Sequence, residues 1–222
     1  MGVNKDAYYS IRDELAEKRV TLVAVSKTKP AEEILEMYEL GQRDFGENYV
    51  QELVAKAAVL PSDIRWHYIG HLQTNKVKLI VPFVQLIQGV DSLKLLKEID
   101  KQAAKAGPVV DCLLQVHIAK EETKFGLNGE ELDGLLKELD HTPLDHIRVR
   151  GLMGMASFTD NMEVVRGEFR EMKGHFGRSR VKGQPLEILS MGMSSDYRVA
   201  VEEGSNLVRI GSLLFGERVK TV

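Results

Sequence analysis

The chain has 222 residues, 43% of them hydrophobic and 28% charged, and so can bury a large core without disulfide or metal staples. A formal charge of −3 supplies no basic field for nucleic acid, and a lone cysteine, Cys112, excludes an internal disulfide. The longest apolar runs, such as Leu79-Ile80-Val81-Pro82-Phe83-Val84, are too short to span a bilayer.

With no signal peptide and eight methionines, the composition points to the cytoplasm. Residues 6–19 read as a leading helix, with Tyr8, Ile11 and Leu15 at helical spacing. The run from Val20 to Val25 has the character of a strand buried on both faces, and it leads straight into Ser26-Lys27. Pro30 suits a first helical turn, Ile34, Leu35 and Tyr38 form a stripe, and Gly41 is placed to end that helix. A short strand over 43–48 leaves Glu47 and Asn48 at its end. The following helix carries Val50, Leu53, Val54 and Ala57 on one side and stops before Pro61.

Residues 64–70 read as a third strand, 73–81 as a short helix and 83–90 as a fourth strand. Asp91-Ser92 can cap the next helix, whose apolar face is Leu93, Leu96, Ile99 and Ala103 and whose stop is Gly107-Pro108. A fifth strand spans 109–118, and 119–127 is a polar loop long enough to act as a lid. A helix over 128–139, a strand over 147–155 and a helix over 163–176 follow, the last with Val164, Val165, Phe169 and Met172 inward. A strand over 186–191, a helix over 194–203 and a strand over 207–210 end the pattern, before Gly211-Ser212-Leu213-Leu214-Phe215-Gly216. Eight strands alternating with helices demand parallel pairing. They predict an α/β fold, a (β/α)8 TIM barrel with an extra N-terminal helix, as a single domain over 1–222. An open doubly wound sheet usually carries a glycine-rich fingerprint after its first strand, and none follows Val25.

In a closed barrel the strand C-termini share one face, where active sites sit. Lys27 is carried there, and a lysine held in a partly dry site loses proton affinity and becomes a nucleophilic amine. The alternative is a strand-end lysine in solvent. Ser190-Met191-Gly192-Met193-Ser194-Ser195 and Gly211-Ser212 follow the last two strands, the usual phosphate cradle of this fold, although ordinary helix capping would also explain the serines. Arg209 interrupts an apolar strand and needs an acceptor, either a carboxylate such as Glu47 or a cofactor ring. His67 and His71 share strand spacing, but no third metal ligand accompanies them. A lysine nucleophile, a phosphate cradle and a ring partner together describe a pyridoxal phosphate (PLP) site.

The segments Ala24-Val25-Ser26-Lys27-Thr28, Phe45-Gly46-Glu47-Asn48-Tyr49-Val50-Gln51-Glu52, 66–76, Gly151-Leu152-Met153-Gly154-Met155, 190–194 and 208–216 closely resemble the pyridoxal phosphate homeostasis protein family, which is related to the barrel domain of alanine racemase. The resemblance covers nearly the whole chain. It implies that Lys27 forms the Schiff base with PLP, that Ser194, Gly211 and Ser212 hold the phosphate, and that Arg209 faces the pyridine nitrogen. Asn48, Ile69 and Met153 would line the pocket, and Ser190 competes with Ser194 as the phosphate contact. Ser212 stands where the family often has threonine, which keeps a hydroxyl.

Two functional classes follow from the resemblance. An amino-acid racemase of the alanine racemase type needs a second acid–base group opposite the lysine. In those enzymes a tyrosine from a further C-terminal domain supplies it across a dimer. Here the chain stops six residues after Gly216, and nothing places Tyr49, Tyr68 or Tyr197 over a ring. An arginine at the ring nitrogen also weakens the electron sink. The expectation is therefore a cytoplasmic, monomeric, non-enzymatic PLP carrier and buffer with no metal. It would bind neither nucleic acid nor membrane, and PLP-dependent apoenzymes would receive its cofactor.

Overall fold

The computed structural model describes residues 2–120 and 125–217. Helix α1 (Lys5–Glu17) precedes strand β1 (Thr21–Val25), and α2 (Ala31–Glu39) leads to β2 (Asp44–Glu47). Then come α3 (Val50–Ala57), β3 (Arg65–Tyr68), a 3-10 turn at Thr74–Lys76, α4 (Val77–Ile80) and β4 (Val84–Val90). They are followed by α5 (Leu93–Ala106), β5 (Val110–His117), α6 (Gly129–His141), β6 (Ile147–Met155) and α7 (Met162–Arg178). A small antiparallel hairpin, β7 (Arg180–Val181) and β8 (Gln184–Pro185), precedes β9 (Ile188–Ser190), α8 (Tyr197–Glu202), β10 (Leu207–Ile210) and α9 (Ser212–Phe215).

Strands β1 to β6, β9 and β10 close into a parallel barrel in chain order, with β10 pairing back onto β1. This is the expected (β/α)8 barrel with a leading helix. The hairpin was not anticipated. Lys182 and Gly183 at its tip have φ of 50° and 76°, the left-handed pair that a tight hairpin turn requires.

Side chains alternate across each barrel strand. Val23, Leu86, Leu113, Met153 and Leu207 point inward and pack together inside the barrel. Leu22, Ala24, Phe45, Trp66, Ile87, Leu152 and Val208 point outward into the larger core beneath the helices. Cys112 is fully buried there, and burial pushes its thiol pKa up, away from thiolate chemistry.

Some helical faces are rotated from the expected stripe. On α2 the buried residues are Ile34 and Met37, while Leu35 is exposed. On α3 the inward residues are Val50, Leu53 and Lys56, and Val54 sits at the rim. On α7, Val165, Phe169 and Met172 are buried with Glu168 and His175, and Val164 is only half-buried. The helix expected from Ser194 begins at Tyr197, and the seventh barrel strand shortens to three residues. Of the expected lid over 119–127, residues 121–124 lie outside the described residues. Leu127 folds back onto β5, its N–H donating to the Gln115 carbonyl at 2.8 Å.

Candidate functional site

The C-terminal mouth of the barrel holds a cavity of about 570 Å³, within the usual range for a cofactor pocket. Lys27, Lys29, Asn48, Ile69, Met155, Ser194, Ser195, Arg209, Gly211 and Ser212 line it, with Phe158 and Phe215 at its wall. Residues far apart in sequence meet here because every strand runs the same way. Inward alternation brings Val25, Met155 and Arg209 to the cavity floor, one layer above the apolar interior cluster.

Lys27 sits in a turn immediately after β1. That turn is tight, because Thr28 has φ of 65°, unusual for a β-branched residue. Polar contacts hold it. The Thr28 N–H donates to Glu52 Oε1 at 2.6 Å, and the Lys29 N–H donates to the Ser26 carbonyl at 3.0 Å. The buried Ser26 hydroxyl donates to Glu47 Oε1 at 2.6 Å. Beneath the turn, the Lys56 ammonium donates to the Ser26 carbonyl at 2.8 Å, Glu47 Oε1 at 2.7 Å and Glu52 Oε1 at 2.6 Å. Burial pushes the Glu47 carboxyl above its ordinary range, although Lys56 and Ser26 pull it back. Neighbouring Lys29 is tied across the mouth, donating to the Phe215 carbonyl at 2.5 Å. Lys27 is thus the cavity lysine with both flanking residues clamped.

Across the cavity, the Gly211 N–H donates to the Ser194 hydroxyl at 3.2 Å, which joins the two serine loops. The Arg209 guanidinium is buried and donates to Ser190 Oγ at 2.5 Å and the Gly154 carbonyl at 2.9 Å. Burial lowers its pKa to about 10, against the pull of the Asp196 carboxylate, so it stays charged at neutral pH. Glu47 is not its partner, being taken by Lys56.

Two of the expected contacts lie elsewhere. Met153 packs in the interior cluster below the cavity, because strand alternation brings Met155 rather than Met153 to the mouth. Ser190 is fully buried beneath Arg209, its hydroxyl bonded to Gln88, so Ser194 is the serine facing the cavity. Lys29, Ser195, Met155, Phe158 and Phe215 enlarge the lining beyond the expected set. Among the described residues no tyrosine lines the cavity: Tyr68 donates to the Asn48 and His71 carbonyls, and Tyr197 donates to Glu14. Burial pushes the Tyr68 hydroxyl up to about 12. His67 lies inside the barrel while His71 is exposed and stacked on Phe125, and no metal-ligating cluster occurs among the described residues.

The residues present suit a phosphorylated aromatic aldehyde. The Lys27 amine, the hydroxyls of Ser194, Ser195 and Ser212 and the buried Arg209 cation line one cavity. The Asn48 side-chain oxygen, buried at the wall, has no hydrogen-bond partner among the described residues.

The family described as alanine racemase, N-terminal domain, matches residues 6–219. The pyridoxal phosphate homeostasis protein of Aquifex aeolicus is 44% identical over 199 residues, 89% of this chain and 86% of that protein. The chain belongs to the pyridoxal phosphate homeostasis protein family. PipY, the COG0325 family member of Synechococcus elongatus PCC7942, solved with PLP bound, superposes with a TM-score of 0.87 at 36% identity. The match covers 96% of this chain and 99% of PipY. Alanine racemase from Bartonella henselae shares the fold, with a TM-score of 0.71 at 17% identity. Its match covers 96% of this chain but only 59% of the racemase. No described helix is long and apolar enough to cross a membrane.

Proposed function

We propose that this protein binds PLP at the barrel mouth through Lys27 and serves PLP homeostasis as a carrier and buffer. The observation that carries the reading is the single cavity uniting the Lys27 turn, the paired serine loops and the buried Arg209. The PLP-bound relative of similar fold supports it. Ser194, Ser212 and the Gly211 amide would hold the phosphate, with Ser195 beside them. Arg209 would face the ring nitrogen, and Asn48, Ile69 and Met155 would enclose the ring. When bound, PLP supplies an aldehyde with which the Lys27 amine forms a Schiff base.

The protein's own groups favour retention over turnover. A guanidinium only donates hydrogen bonds, so opposite the ring nitrogen it leaves that atom unprotonated. The cavity walls offer no tyrosine as a second proton donor opposite Lys27. We place the protein in the cytoplasm, acting as a monomer whose PLP passes to PLP-dependent apoenzymes. A buried Cys112 suits a reducing compartment.

A visible spectrum of the isolated protein, before and after hydride reduction, tests the cofactor. A yellow protein whose label falls on the Lys27 peptide is expected, and a label on Lys29 overturns the assignment. Incubation with single enantiomers of alanine tests the carrier reading, which sustained racemisation at ordinary enzyme rates would end.

A further inference from the structure

A chain of polar side chains crosses the barrel interior, where this fold ordinarily stacks aliphatic residues. It begins at Arg209 on the cavity floor, whose Nη1 donates to Ser190 Oγ at 2.5 Å. Ser190 Oγ lies 2.7 Å from Gln88 Oε1, Gln88 Nε2 lies 3.1 Å from His67 Nδ1, and His67 Nε2 lies 3.0 Å from Asp44 Oδ1. Arg209, Ser190, Gln88 and His67 are buried, and Asp44 reaches the opposite rim, where exposed Arg65 pairs with it. None of Ser190, Gln88, His67 and Asp44 lines the cavity.

The two ends dictate the sense of every link. Arginine can only donate, so Ser190 accepts from it and has one hydrogen left, for Gln88 Oε1. The Gln88 amide must then donate to His67 Nδ1, which leaves the imidazole hydrogen on Nε2, pointing at Asp44. An ionised carboxylate only accepts, so the far end agrees. Burial alone would raise the Asp44 pKa, but hydrogen bonds from Arg65 and His67 outweigh it and hold the carboxyl at about 2. The chain therefore runs one way, from a buried cation to an anion, with a donor facing an acceptor at each link. Reversing any link leaves a buried hydrogen without an acceptor.

We infer that Ser190, Gln88, His67 and Asp44 are positioning residues that fix the orientation of the Arg209 guanidinium toward the bound cofactor ring. This rests on the PLP reading for its consequence but not for its geometry, and two separate readouts distinguish the two. Gln88→Met keeps the volume and removes both central links. Ser190→Ala removes the acceptor at Arg209. Leu86→Met alters the same strand and interior without touching the chain.

The first readout is hydrogen exchange of the Arg209 guanidinium in the PLP-free protein, followed by 15N NMR. Exchange is expected to speed up roughly 10-fold in Ser190→Ala, because the acceptor is lost, and in Gln88→Met, because the Ser190 hydroxyl is no longer held, and to stay unchanged in Leu86→Met. Equal exchange in all three variants and the wild type overturns the proposal, as does acceleration in Leu86→Met to the same degree. The second readout is the visible band and release rate of PLP-loaded protein. Both chain variants are expected to shift the band and release PLP about 5-fold faster, with Lys27 still labelled by hydride. Spectra and release identical to wild type in both variants overturn the positioning role. A wild type that takes up no PLP ends the cofactor reading and leaves the exchange experiment to decide the chain. Should Gln88→Met fail to fold, Ser190→Ala, with the smaller change, carries both readouts.

Discussion

Lys56 shows how much one side chain decides. Its three ammonium hydrogens meet three acceptors, Ser26 O, Glu47 Oε1 and Glu52 Oε1, directly under the turn that carries Lys27. The Glu47 side chain is 0% exposed and that of Lys56 is 8% exposed, so neither charge has water to fall back on. Removing one partner of such a pair leaves the other charge buried and uncompensated. Lys56→Met is expected to cost about 3 kcal/mol, read as a lowered urea midpoint, and adding Glu47→Gln is expected to recover part of it. Lys27 is the opposite case. Half-buried at a cavity edge, it lies outside the buried core, so Lys27→Ala should cost less than about 1 kcal/mol of stability while abolishing hydride-trapped PLP. Equal destabilisation of the Lys27 and Lys56 variants would assign Lys27 a structural role.

At the scale of elements, β6 and β9 pair with no room for a side chain at Gly151. A Cβ built on Gly151 would lie 1.8 Å from the Ile188 carbonyl oxygen, so the strands could not keep their spacing. Gly151→Ala is expected to destabilise by about 2–4 kcal/mol, measured by thermal denaturation. Strand existence and order were legible from apolar runs separated by helical patterns, and α6 was legible as a helix over 128–139, while its reciprocal capping box between Asn128 and Glu131 emerged from the structure. Helix faces were less so. On α2 and α3 the periodic stripe admits two phases, and contact with the barrel selected Met37 over Leu35 and Lys56 over Val54. An inward lysine cannot be told from an exposed one by spacing, because the burial of Lys56 depends on Glu47 of β2 and the Ser26 carbonyl as well as on Glu52 of its own helix.

Over the whole molecule, charges placed at opposite ends of the barrel make stability depend on pH. The folded-state pKa of Asp44 is depressed from 3.8 to about 2. A depressed carboxyl contributes stability that is present above its unfolded pKa and lost as pH falls through the folded one. That contribution is roughly 2 kcal/mol, lost between about pH 4 and pH 2. Glu47, raised by burial, has the opposite sign and acts above this window. Asp44→Asn is expected to flatten the fall of the urea midpoint between about pH 4 and pH 2.5, and an unchanged acid limb would remove Asp44 from the balance.

By itself the sequence determined the barrel, its mouth and the lysine there. Short apolar runs, caps and turn residues are local, and a β/α alternation has few ways to close. It also carried Ser194, Arg209, Gly211 and Ser212 to the correct rim, because those residues follow strands whose direction parallel pairing dictates. Only the tertiary structure decided that Ser190 lies under Arg209 rather than beside the serine loops, that Met155 replaces Met153 at the cavity, and that Lys56 braces the Lys27 turn. Each of these depends on which side chain of a strand or helix meets a partner from elsewhere in the chain. Hydrogen-bond matching and burial settle that choice only once the barrel has closed.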